Sequence, residues 1–234
     1  DSENLKPDDE VGEVLKHGTL SVGFIGLAEA LVALTGKHHG ESNDSYQLGY
    51  RIIQHMREKV DKASETYDLN FSLIATPAEG LSGKFTRNDQ KEFGKIPGVT
   101  DRSYYTNSFH IPVYYQIKAI DKIKIEGSFH KLCNGGHITY IECDGDVSKN
   151  VRALDRLVKA MAQYDIGYGA INHPVDQCGV CGYSGIIDNE CPVCHNADEG
   201  RIGRIRRITG YLVGDMKRWN SAKRAEESER VKHQ

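Results

Sequence analysis

Hydrophobic residues follow two patterns along this chain, and the two patterns alternate. Residues 46–67 place apolar side chains three or four positions apart, which is the spacing of a helix with one buried face. Residues 148–164 repeat that spacing, and residues 27–34 predict a more apolar helix that ends at Gly36. Short unbroken apolar runs predict buried strands at residues 70–75, 111–115, 137–143 and 166–172. The alternation predicts an α/β fold with a largely parallel sheet.

The segments between these elements complete the predicted order. A short helix is expected over residues 120–129, followed by a turn at residues 134–136, where the sequence is Asn-Gly-Gly. Residues 82–102 are polar and predict an irregular segment. A last helix at about residues 217–232 has side chains of both charges, as a solvated helix does.

The composition excludes several classes of protein. The chain has 234 residues, of which 38% are hydrophobic and 27% charged, and its formal net charge is −3. This balance is typical of a globular protein and gives no general attraction to nucleic acid or to a membrane. The most apolar stretch, residues 20–34, is interrupted by Glu29 and is shorter than the roughly 18 residues of a membrane span. The chain begins at Asp1 without a signal region, and we expect a reduced, cytoplasmic protein.

Four of the six cysteines form two CxxC pairs, which is the spacing of a metal site. Cys178 and Cys181 form the first pair and Cys191 and Cys194 the second, with nine residues between the pairs. Each CxxC turn presents two thiolates to one ion, and two such turns complete a tetrahedral site. Sites of this kind usually hold zinc and are structural, because four protein ligands leave no position for a substrate. We therefore predict a structural Zn²⁺ on these four cysteines.

Residues 205–213 contain an Arg three positions before a glycine and a tyrosine directly after it, namely Arg207, Gly210 and Tyr211. A backbone radical requires such a glycine, because only a Cα without a side chain flattens freely and delocalises the unpaired electron into both flanking amides. Taken alone, the pattern is more typical of an ordinary strand that ends in a glycine turn.

A second candidate site follows the predicted strand at residues 70–75. It consists of Thr76, Pro77, Ala78 and Glu79. A Pro at the first helical position after a Thr indicates a helix start. A strand, a tight turn and a helix N-terminus together can hold a phosphate on unpaired backbone N–H groups. Helix capping alone explains the same residues, since the loop lacks the several glycines of a nucleotide-binding loop.

Two other patterns suggest ligands but have simpler explanations. His38, His39 and Glu41 suggest a metal site, yet neighbouring residues point apart, and a turn at the rim of a pocket is favoured. Residues 201–234 contain ten Lys and Arg against four Asp and Glu, which beside a zinc ribbon suggests nucleic-acid binding. Because both charges mix along the last helix, we expect no direct contact with nucleic acid.

The cysteine pairs end 16 residues before Gly210, and this combination is far more specific than either motif alone. Four further segments accompany it and read HGTLSVGFIG, KHHGE, ATPAEGL and NHPVD, at residues 17–26, 37–41, 75–81 and 172–176. Over its whole length the chain closely resembles anaerobic (class III) ribonucleoside-triphosphate reductase, and it corresponds to the C-terminal third of that family's catalytic subunit. One small departure is Thr209, where glycyl-radical enzymes more often have Cys, Ser or Ala.

The resemblance implies a fold, a mechanism and partners. Residues 1–172 would form the second part of a ten-stranded α/β barrel of the glycyl-radical-enzyme type, and residues 173–234 a small zinc-binding and glycyl-radical domain. An activating enzyme that uses S-adenosylmethionine and an iron–sulfur cluster would generate the radical on Gly210. A cysteine thiyl radical would then take the 3′ hydrogen of a ribonucleoside triphosphate, whose phosphates lie on residues 76–79. The product is the deoxynucleotide used in DNA synthesis, and the subunit would form a homodimer.

The same resemblance indicates what this segment lacks. The thiyl cysteine, its partner cysteine and the ATP-binding regulatory domain of the family lie N-terminal to it, and Cys133 and Cys143 are not in that loop context. We therefore expect a fragment that needs the N-terminal remainder of the subunit and is not a competent reductase alone. An alternative is a stand-alone radical subunit that complements a separate N-terminal chain. The paired cysteines disfavour a formate-lyase or dehydratase type of glycyl-radical enzyme.

Overall fold

The computed structural model describes residues 4–9, 11, 16–143, 147–173, 175–208, 211–213 and 219–233. The strands are β1 Thr19–Phe24, β2 Asn70–Ala75, β3 Thr139–Glu142, β4 Gly169–Asn172, β5 Val175–Cys178, β6 Ser184–Gly185, β7 Ile202–Ile208 and β8 Tyr211–Val213. The α-helices are α1 Leu27–Thr35, α2 Asn43–Tyr67, α3 Leu81–Phe93, α4 Ala119–His130, α5 Val151–Gln163 and α6 Ser221–Ser228. No helix in these ranges is both long and apolar enough to cross a membrane.

The predicted parallel arrangement is confirmed, but in two separate sheets. β1 pairs with β2 along all six residues of each strand, and β3 pairs with β4 along all four. Helices α1 and α2 join the first pair and α5 joins the second, since parallel strands need a long crossover connection. The described residues form eight strands in three sheets, so the ten-stranded barrel implied by the resemblance is not observed among them.

The Asn-Gly-Gly turn at residues 134–136 lies against the edge of β2. The N–H of Gly135 donates to the carbonyl of Leu73 at 2.8 Å, and the N–H of Ala75 donates to the carbonyl of Gly136 at 2.9 Å. A Cβ on Gly135 would lie 2.6 Å from the hydroxyl oxygen of Ser72. Glycine is therefore required for this close approach of two backbones.

The main core lies between α1, α2, α4 and β2. Phe109 and Phe129 stack within it, with ring centroids 5.5 Å apart, and both are fully buried. The other buried members are Leu27, Leu31, Ile53, Val60, Leu73, Ala75, Leu132 and Cys133. A smaller apolar cluster joins α4, α5 and β3 through Ala119, Ile123, Ile141, Ala160 and Met161.

Local sequence explains where several of these helices begin and end. α1 ends as predicted at Gly36, whose φ of 81° lies in the left-handed region that glycine adopts without strain. α2 begins after Ser42, whose hydroxyl accepts a hydrogen bond from the N–H of Ser45 at 3.4 Å. α5 begins after Asn150, whose side chain accepts from the N–H of Ala153 at 3.1 Å.

The structure differs from the predictions in two segments between residues 82 and 115. Residues 82–102 are not irregular throughout, because α3 occupies their first half. Its buried positions are Ser82, Gly83 and Thr86, which are small and polar, so the helix has no apolar stripe. Residues 111–115 do not form a strand. The N–H of Ile111 donates instead to the buried carboxylate of Glu126 at 2.8 Å, which replaces the neighbouring strand that it would need.

Candidate functional site

All four cysteines of the CxxC pairs meet at one point beside the third sheet. The sulfurs of Cys178 and Cys194 are 3.6 Å apart, as are those of Cys181 and Cys191, and all four lie within 4.8 Å of one another. A disulfide would bring two sulfurs to about 2.05 Å. A tetrahedral ion with metal–sulfur bonds of about 2.3 Å separates its ligands by roughly 3.8 Å. The cluster therefore fits one four-coordinate metal ion.

Two similar turns hold the four sulfurs in place. The N–H of Gly182 donates to the carbonyl of Cys178 at 2.9 Å, and the N–H of His195 donates to that of Cys191 at 2.9 Å. Gly182 and His195 both have positive φ, at 76° and 56°. The backbone N–H groups of Cys181 and Val180 hydrogen-bond to the Cys178 sulfur and lower its pKa to about 6. The lowered pKa favours the thiolate at Cys178, which is the form that binds metal. At Cys181 and Cys194, backbone hydrogen bonds are outweighed by burial and the neighbouring sulfurs, which instead raise the pKa of both thiols.

The cysteine cluster is attached to the strand that leads toward Gly210. β5, which ends at Cys178, pairs antiparallel with β7 from Val175 opposite Ile205 to Cys178 opposite Ile202. Ile187 and Ile202 pack against Cys178 and Cys191 and complete a small core. β7 then pairs with β8, and Ile208 is opposite Tyr211. Gly210 and Thr209 lie between these two strands in the sequence and outside the described residues.

The predicted phosphate loop follows β2 at the carboxyl ends of the parallel strands β1 and β2. A Cβ on Gly23 of β1 would overlap the hydroxyl of Thr76, so the loop packs closely on that strand. Ala78 is buried, while Thr76, Pro77 and Glu79 are half-buried. The helix start predicted at Pro77 is wrong, because α3 begins at Leu81 after Gly80, which offers no side chain to cap it.

The His38–His39 pair belongs to the interior and not to a metal site. Both side chains are buried, and the ring of His39 contacts the carbonyl of Phe109 through Nε2 at 2.8 Å. Burial lowers the pKa of His39 to about 4, so the ring is neutral at pH 7. Among the described residues, the four cysteines are the only group of three or more His, Cys, Asp or Glu side chains with metal-binding spacing.

A small cavity of about 40 Å³ lies beside β7, and most of its polar lining was missed by the sequence interpretation. Its walls include Tyr140, Asn172, Arg207, Glu226, Arg230 and His233. A second cavity of about 220 Å³ shares Glu142, Asn172, Arg207 and Arg230 with the first. These residues come from β3, β4, β7 and the end of the chain, so no sequence spacing indicates that they meet.

A fully buried carboxylate, Glu126, organises the wall of the first cavity formed by α4. It contacts the ammonium of Lys122, accepts from the hydroxyl of Thr139 at 2.8 Å, and lies 3.3 Å from Nδ1 of His110. Burial by itself raises the pKa of Glu126, but the charges of Lys122 and His110 more than offset burial and hold the pKa below its usual range. Glu126 therefore stays ionised inside the protein.

The last helix is not the solvated helix that its mixed charges predicted. In the described part, α6 ends at Ser228, and Lys223 and Glu226 are 0% and 3% exposed. Burial raises the pKa of Glu226, but Lys223 and Arg230 outweigh it and lower that pKa overall. Arg204 likewise contacts Glu199 at 2.7 Å. Lys223, Arg230 and Arg204 are thus each paired with a carboxylate within the protein.

Comparison with known proteins identifies the family. The family model described as "Anaerobic ribonucleoside-triphosphate reductase" matches residues 1–233. Curated proteins with that name include those of Escherichia coli K12, 39% identical over 238 residues, and Salmonella typhimurium, 40% identical over 240. Each match covers 98% of this chain and 33% of the relative. The protein of that name from Enterobacteria phage T4 is 35% identical over 98% of this chain and 37% of its own length.

Solved structures agree at the level of the fold. One titled "Anaerobic ribonucleotide reductase" has a TM-score of 0.75 and 22% identity over 93% of this chain and 34% of its own. The anaerobic ribonucleotide reductase from Thermotoga maritima with dATP bound in the specificity site has a TM-score of 0.67 and 23% identity, over 86% of this chain and 32% of its own. The chain spans about a third of the length of the curated relatives it matches. It belongs to the anaerobic ribonucleoside-triphosphate reductase family.

Proposed function

We propose that this chain is the radical-storing part of an enzyme that reduces ribonucleoside triphosphates to deoxyribonucleotides without oxygen. One observation supports this most directly. The four cysteine sulfurs form a metal-binding cluster, and that cluster is bonded through β5 to β7, which ends two residues before Gly210. In a chain that matches the family over residues 1–233, this arrangement suits a glycine whose position must be fixed.

In this proposal Cys178, Cys181, Cys191 and Cys194 hold a Zn²⁺ ion. Four thiolates favour zinc among common metals, and with all four positions filled the ion supplies a structural cross-link and no reaction site. The chain's own contribution is the antiparallel pairing of β5 with β7. That pairing transmits the rigidity of the cluster to the strand that leads toward Gly210.

Gly210 is proposed to hold the radical. An activating protein that uses S-adenosylmethionine and an iron–sulfur cluster removes one hydrogen atom from its Cα, and the unpaired electron delocalises into the flanking amides. The glycyl radical then takes the hydrogen atom of a cysteine thiol in the N-terminal remainder of the subunit, which restores the glycine. The thiyl radical so formed takes the 3′ hydrogen atom of the substrate ribose. Cys133 is unsuited to that role, because it is fully buried in the main core and a nucleotide cannot reach its sulfur.

The phosphates of the substrate are proposed to lie on Thr76, Pro77, Ala78 and Glu79. Two features support this assignment. The loop lies at the carboxyl ends of β1 and β2, which is where parallel sheets bind their ligands. The following helix α3 begins at Leu81 without a side-chain cap, so its first N–H groups are not taken by a capping side chain and can face an anion.

Electron paramagnetic resonance tests the radical assignment. The metal-loaded protein is incubated without oxygen with the activating protein and S-adenosylmethionine, and the spectrum is recorded. We expect a glycyl doublet that is absent from Gly210→Ala. Gly203→Ala is the matched control in β7, because a Cβ there would meet only the carbonyl of Gln177 at an ordinary 3.7 Å. A doublet that persists in Gly210→Ala, or no doublet in metal-loaded wild type, would refute the assignment.

Turnover tests the need for the rest of the subunit. With activating protein, reductant and a ribonucleoside triphosphate, this chain alone is expected to make no deoxynucleotide, and addition of the N-terminal remainder should restore synthesis. Appreciable synthesis by the chain alone would contradict this. Co-purification with a separately encoded N-terminal chain would favour the stand-alone radical subunit, and sedimentation of the complete subunit tests the proposed homodimer.

A further inference from the structure

We call β7 and β8 with the two residues between them the radical hairpin, and residues 19–172, which contain β1–β4 and α1–α5, the α/β part. The chain after the radical hairpin returns to the α/β part and is fastened there at several points. We call residues 219–233 the C-terminal clasp. At its start, the side-chain amide of Asn220 donates to the carbonyl of Glu79 at 2.7 Å. At its end, the N–H of His233 donates to the carbonyl of Glu142, while the N–H of Glu142 donates to Nδ1 of His233, both at 2.8 Å. Between these points, the N–H of Val231 donates to the carbonyl of Val113 at 2.9 Å.

The middle of the clasp is packed tightly against α3. A Cβ on Gly83 of α3 would lie 2.5 Å from the Cβ of Ala222, so the two helices touch through their smallest side chains. Trp219 and Ala222 are buried at 2% and 3% exposure. The clasp is therefore part of the interior of the α/β region, although it follows the four-cysteine region in the sequence.

Three charged side chains of the clasp lie together, and two of them, Lys223 and Glu226, are buried while the third, Arg230, is 11% exposed. Lys223 and Glu226 are in contact, and Nη2 of Arg230 donates to Glu226 at 3.1 Å. Removing charges from water is unfavourable unless each finds a partner, and such groups often specify one arrangement and add little stability. Unlike Lys223 and Glu226, Arg230 also contacts a strand of the radical hairpin, which lies outside the clasp. Its Nη1 donates to the backbone carbonyl of Arg207 at 2.9 Å and lies 3.8 Å from Glu142.

That carbonyl lies where β7 loses one of its neighbours. β5 pairs with β7 only as far as Ile205, whereas β8 pairs with residues 206–208. Beyond Ile205, no strand in the described residues takes the place of β5 beside β7. The guanidinium of Arg230 supplies a donor in that part of β7, three residues before Gly210.

We propose that Arg230 is a positioning residue, which holds the carbonyl of Arg207 and so fixes the radical hairpin against the α/β part of the protein. Glu226 and Glu142 orient its planar fork, and Lys223 balances the charge of Glu226. The proposal rests on the proposed function of Gly210, because transfer of a hydrogen atom requires the donor and acceptor to be placed within a fraction of an ångström. Arginine suits this role better than lysine, since its fork serves a carbonyl and a carboxylate at once.

Hydrogen–deuterium exchange tests the positioning directly and needs no radical. In the metal-loaded full chain, Arg230→Ala should exchange about tenfold faster in the peptide spanning residues 202–213, as expected for the loss of a hydrogen bond to a charged group. The exchange rate of Arg230→Lys should lie between those of wild type and Arg230→Ala, because lysine keeps the positive charge but not the planar guanidinium group. Arg156→Ala, an exposed arginine on α5, is the matched control and should leave exchange unchanged. Unchanged exchange in both Arg230 variants would overturn the proposal.

Two further measurements show whether Arg230 acts on β7 alone or on the stability of the whole chain, and whether a failure lies with Arg230 or with the proposed radical on Gly210. Exchange within α2 and the metal content should be the same in Arg230→Ala as in wild type, and a rise everywhere would show a merely structural role. If Arg230→Ala does not fold, the exchange rate of the peptide spanning residues 202–213 is measured in Arg230→Lys and Glu226→Gln instead. Faster exchange than in wild type supports the proposal. The glycyl doublet should fall about tenfold in Arg230→Ala. If wild type gives no doublet, the proposed function fails, while the exchange result still decides whether Arg230 holds β7.

Discussion

The α/β part of this chain and its four-cysteine part, residues 175–213 with β5–β8, have cores of different chemistry. The main core of the first contains leucine, isoleucine and two stacked phenylalanines. The core of the second has four buried residues, Cys178, Ile187, Cys191 and Ile202, and two of these are metal-ligand candidates. A core of four residues buries too little apolar area for this part to fold alone, and an ion bound by the four cysteines would replace the missing core.

The comparison also shows where the two parts meet. Their junction contains paired charges, with Arg230, Glu226 and Glu142 between β7 and β3. Paired charges have strict geometric requirements, whereas apolar contacts tolerate sliding. A junction of this kind fixes one relative position, which suits a hairpin that must present a single glycine.

Removing the metal should have the largest effect, and it should be confined to one part. Chelation or Cys191→Ser should abolish exchange protection in β5 to β8 and leave α2 protected, because structural zinc contributes roughly 10–16 kcal/mol to folding of such sites. Metal content by mass spectrometry and peptide-resolved exchange measure this. Cys143→Ser, a half-buried cysteine outside the cluster, should retain the metal. Equal loss of protection in α2 would show that the two parts fold as one unit.

Acid should weaken the α/β part through its buried histidines. Burial lowers the pKa of His39 to about 4 and that of His130 to about 3, below the ordinary 6.5. As the pH falls below about 6.5, the unfolded chain binds protons that the folded chain does not, so stability present at pH 7 is lost progressively toward pH 4. The loss should be on the order of 5 kcal/mol by pH 4.5.

Urea unfolding followed at α2 measures this loss in metal-loaded and in chelated protein. Protonation of the thiolates also releases metal in acid, so agreement between the two preparations assigns the loss to the histidines. Stability at α2 that does not change between pH 7 and 4.5 would contradict the prediction.

Truncating the apolar core should destabilise the α/β part and leave the four-cysteine part intact, which is the opposite of the effect expected on metal removal. Phe129→Ala should lower the free energy of unfolding of the α/β part by about 3–5 kcal/mol, because it leaves a cavity opposite Phe109. The metal should stay bound. Phe93→Ala, at a position that is 62% exposed, should change stability by less than about 0.5 kcal/mol. Calorimetry with metal analysis distinguishes these outcomes, and metal loss in Phe129→Ala would argue against independent cores.

The smallest effect should come from the polar contacts that support the cysteine cluster. Arg204 donates to the carbonyls of Ile187 and Asp188 and contacts buried Asp176 at 3.5 Å. Arg204→Ala should reduce the stability of β5 and β6 by about 2 kcal/mol, because Asp176 loses a charged partner. Faster metal release to a chelator would show it, with exposed Arg201→Ala as the control. Equal release rates in the two variants would exclude this support.

The sequence predicted the elements whose patterns are local. β2 was predicted at the residues where it occurs, α1 stops at Gly36, and α2 extends the predicted helix by three residues. α3 was missed because its buried side is formed by Ser82, Gly83 and Thr86, which have no apolar periodicity. The strand predicted at residues 111–115 failed for a related reason, since Glu126 satisfies the backbone that a strand would have satisfied.

The candidate site also has residues that the sequence predicted and residues that it did not. The two CxxC pairs were predicted to form one metal site, and the structure brings all four sulfurs together. Gly210 was also proposed from the sequence, and it stays a prediction because it lies outside the described residues. The buried charges around Arg230 were not predicted, because mixed charges on a helix normally face water.

The sequence by itself determined the helices and strands with a clear hydrophobic period, such as α1, α2 and β2, the spacing of the four cysteines and the family to which the chain belongs. These follow from contacts between residues close in the chain or from motifs with fixed spacing. Only the tertiary structure decided that Lys223 and Glu226 are buried, that Glu126 is ionised in the interior, and that Arg230 reaches the carbonyl of Arg207. The physical reason is that a charged group can be buried only beside its partners, and here those partners come from distant parts of the chain.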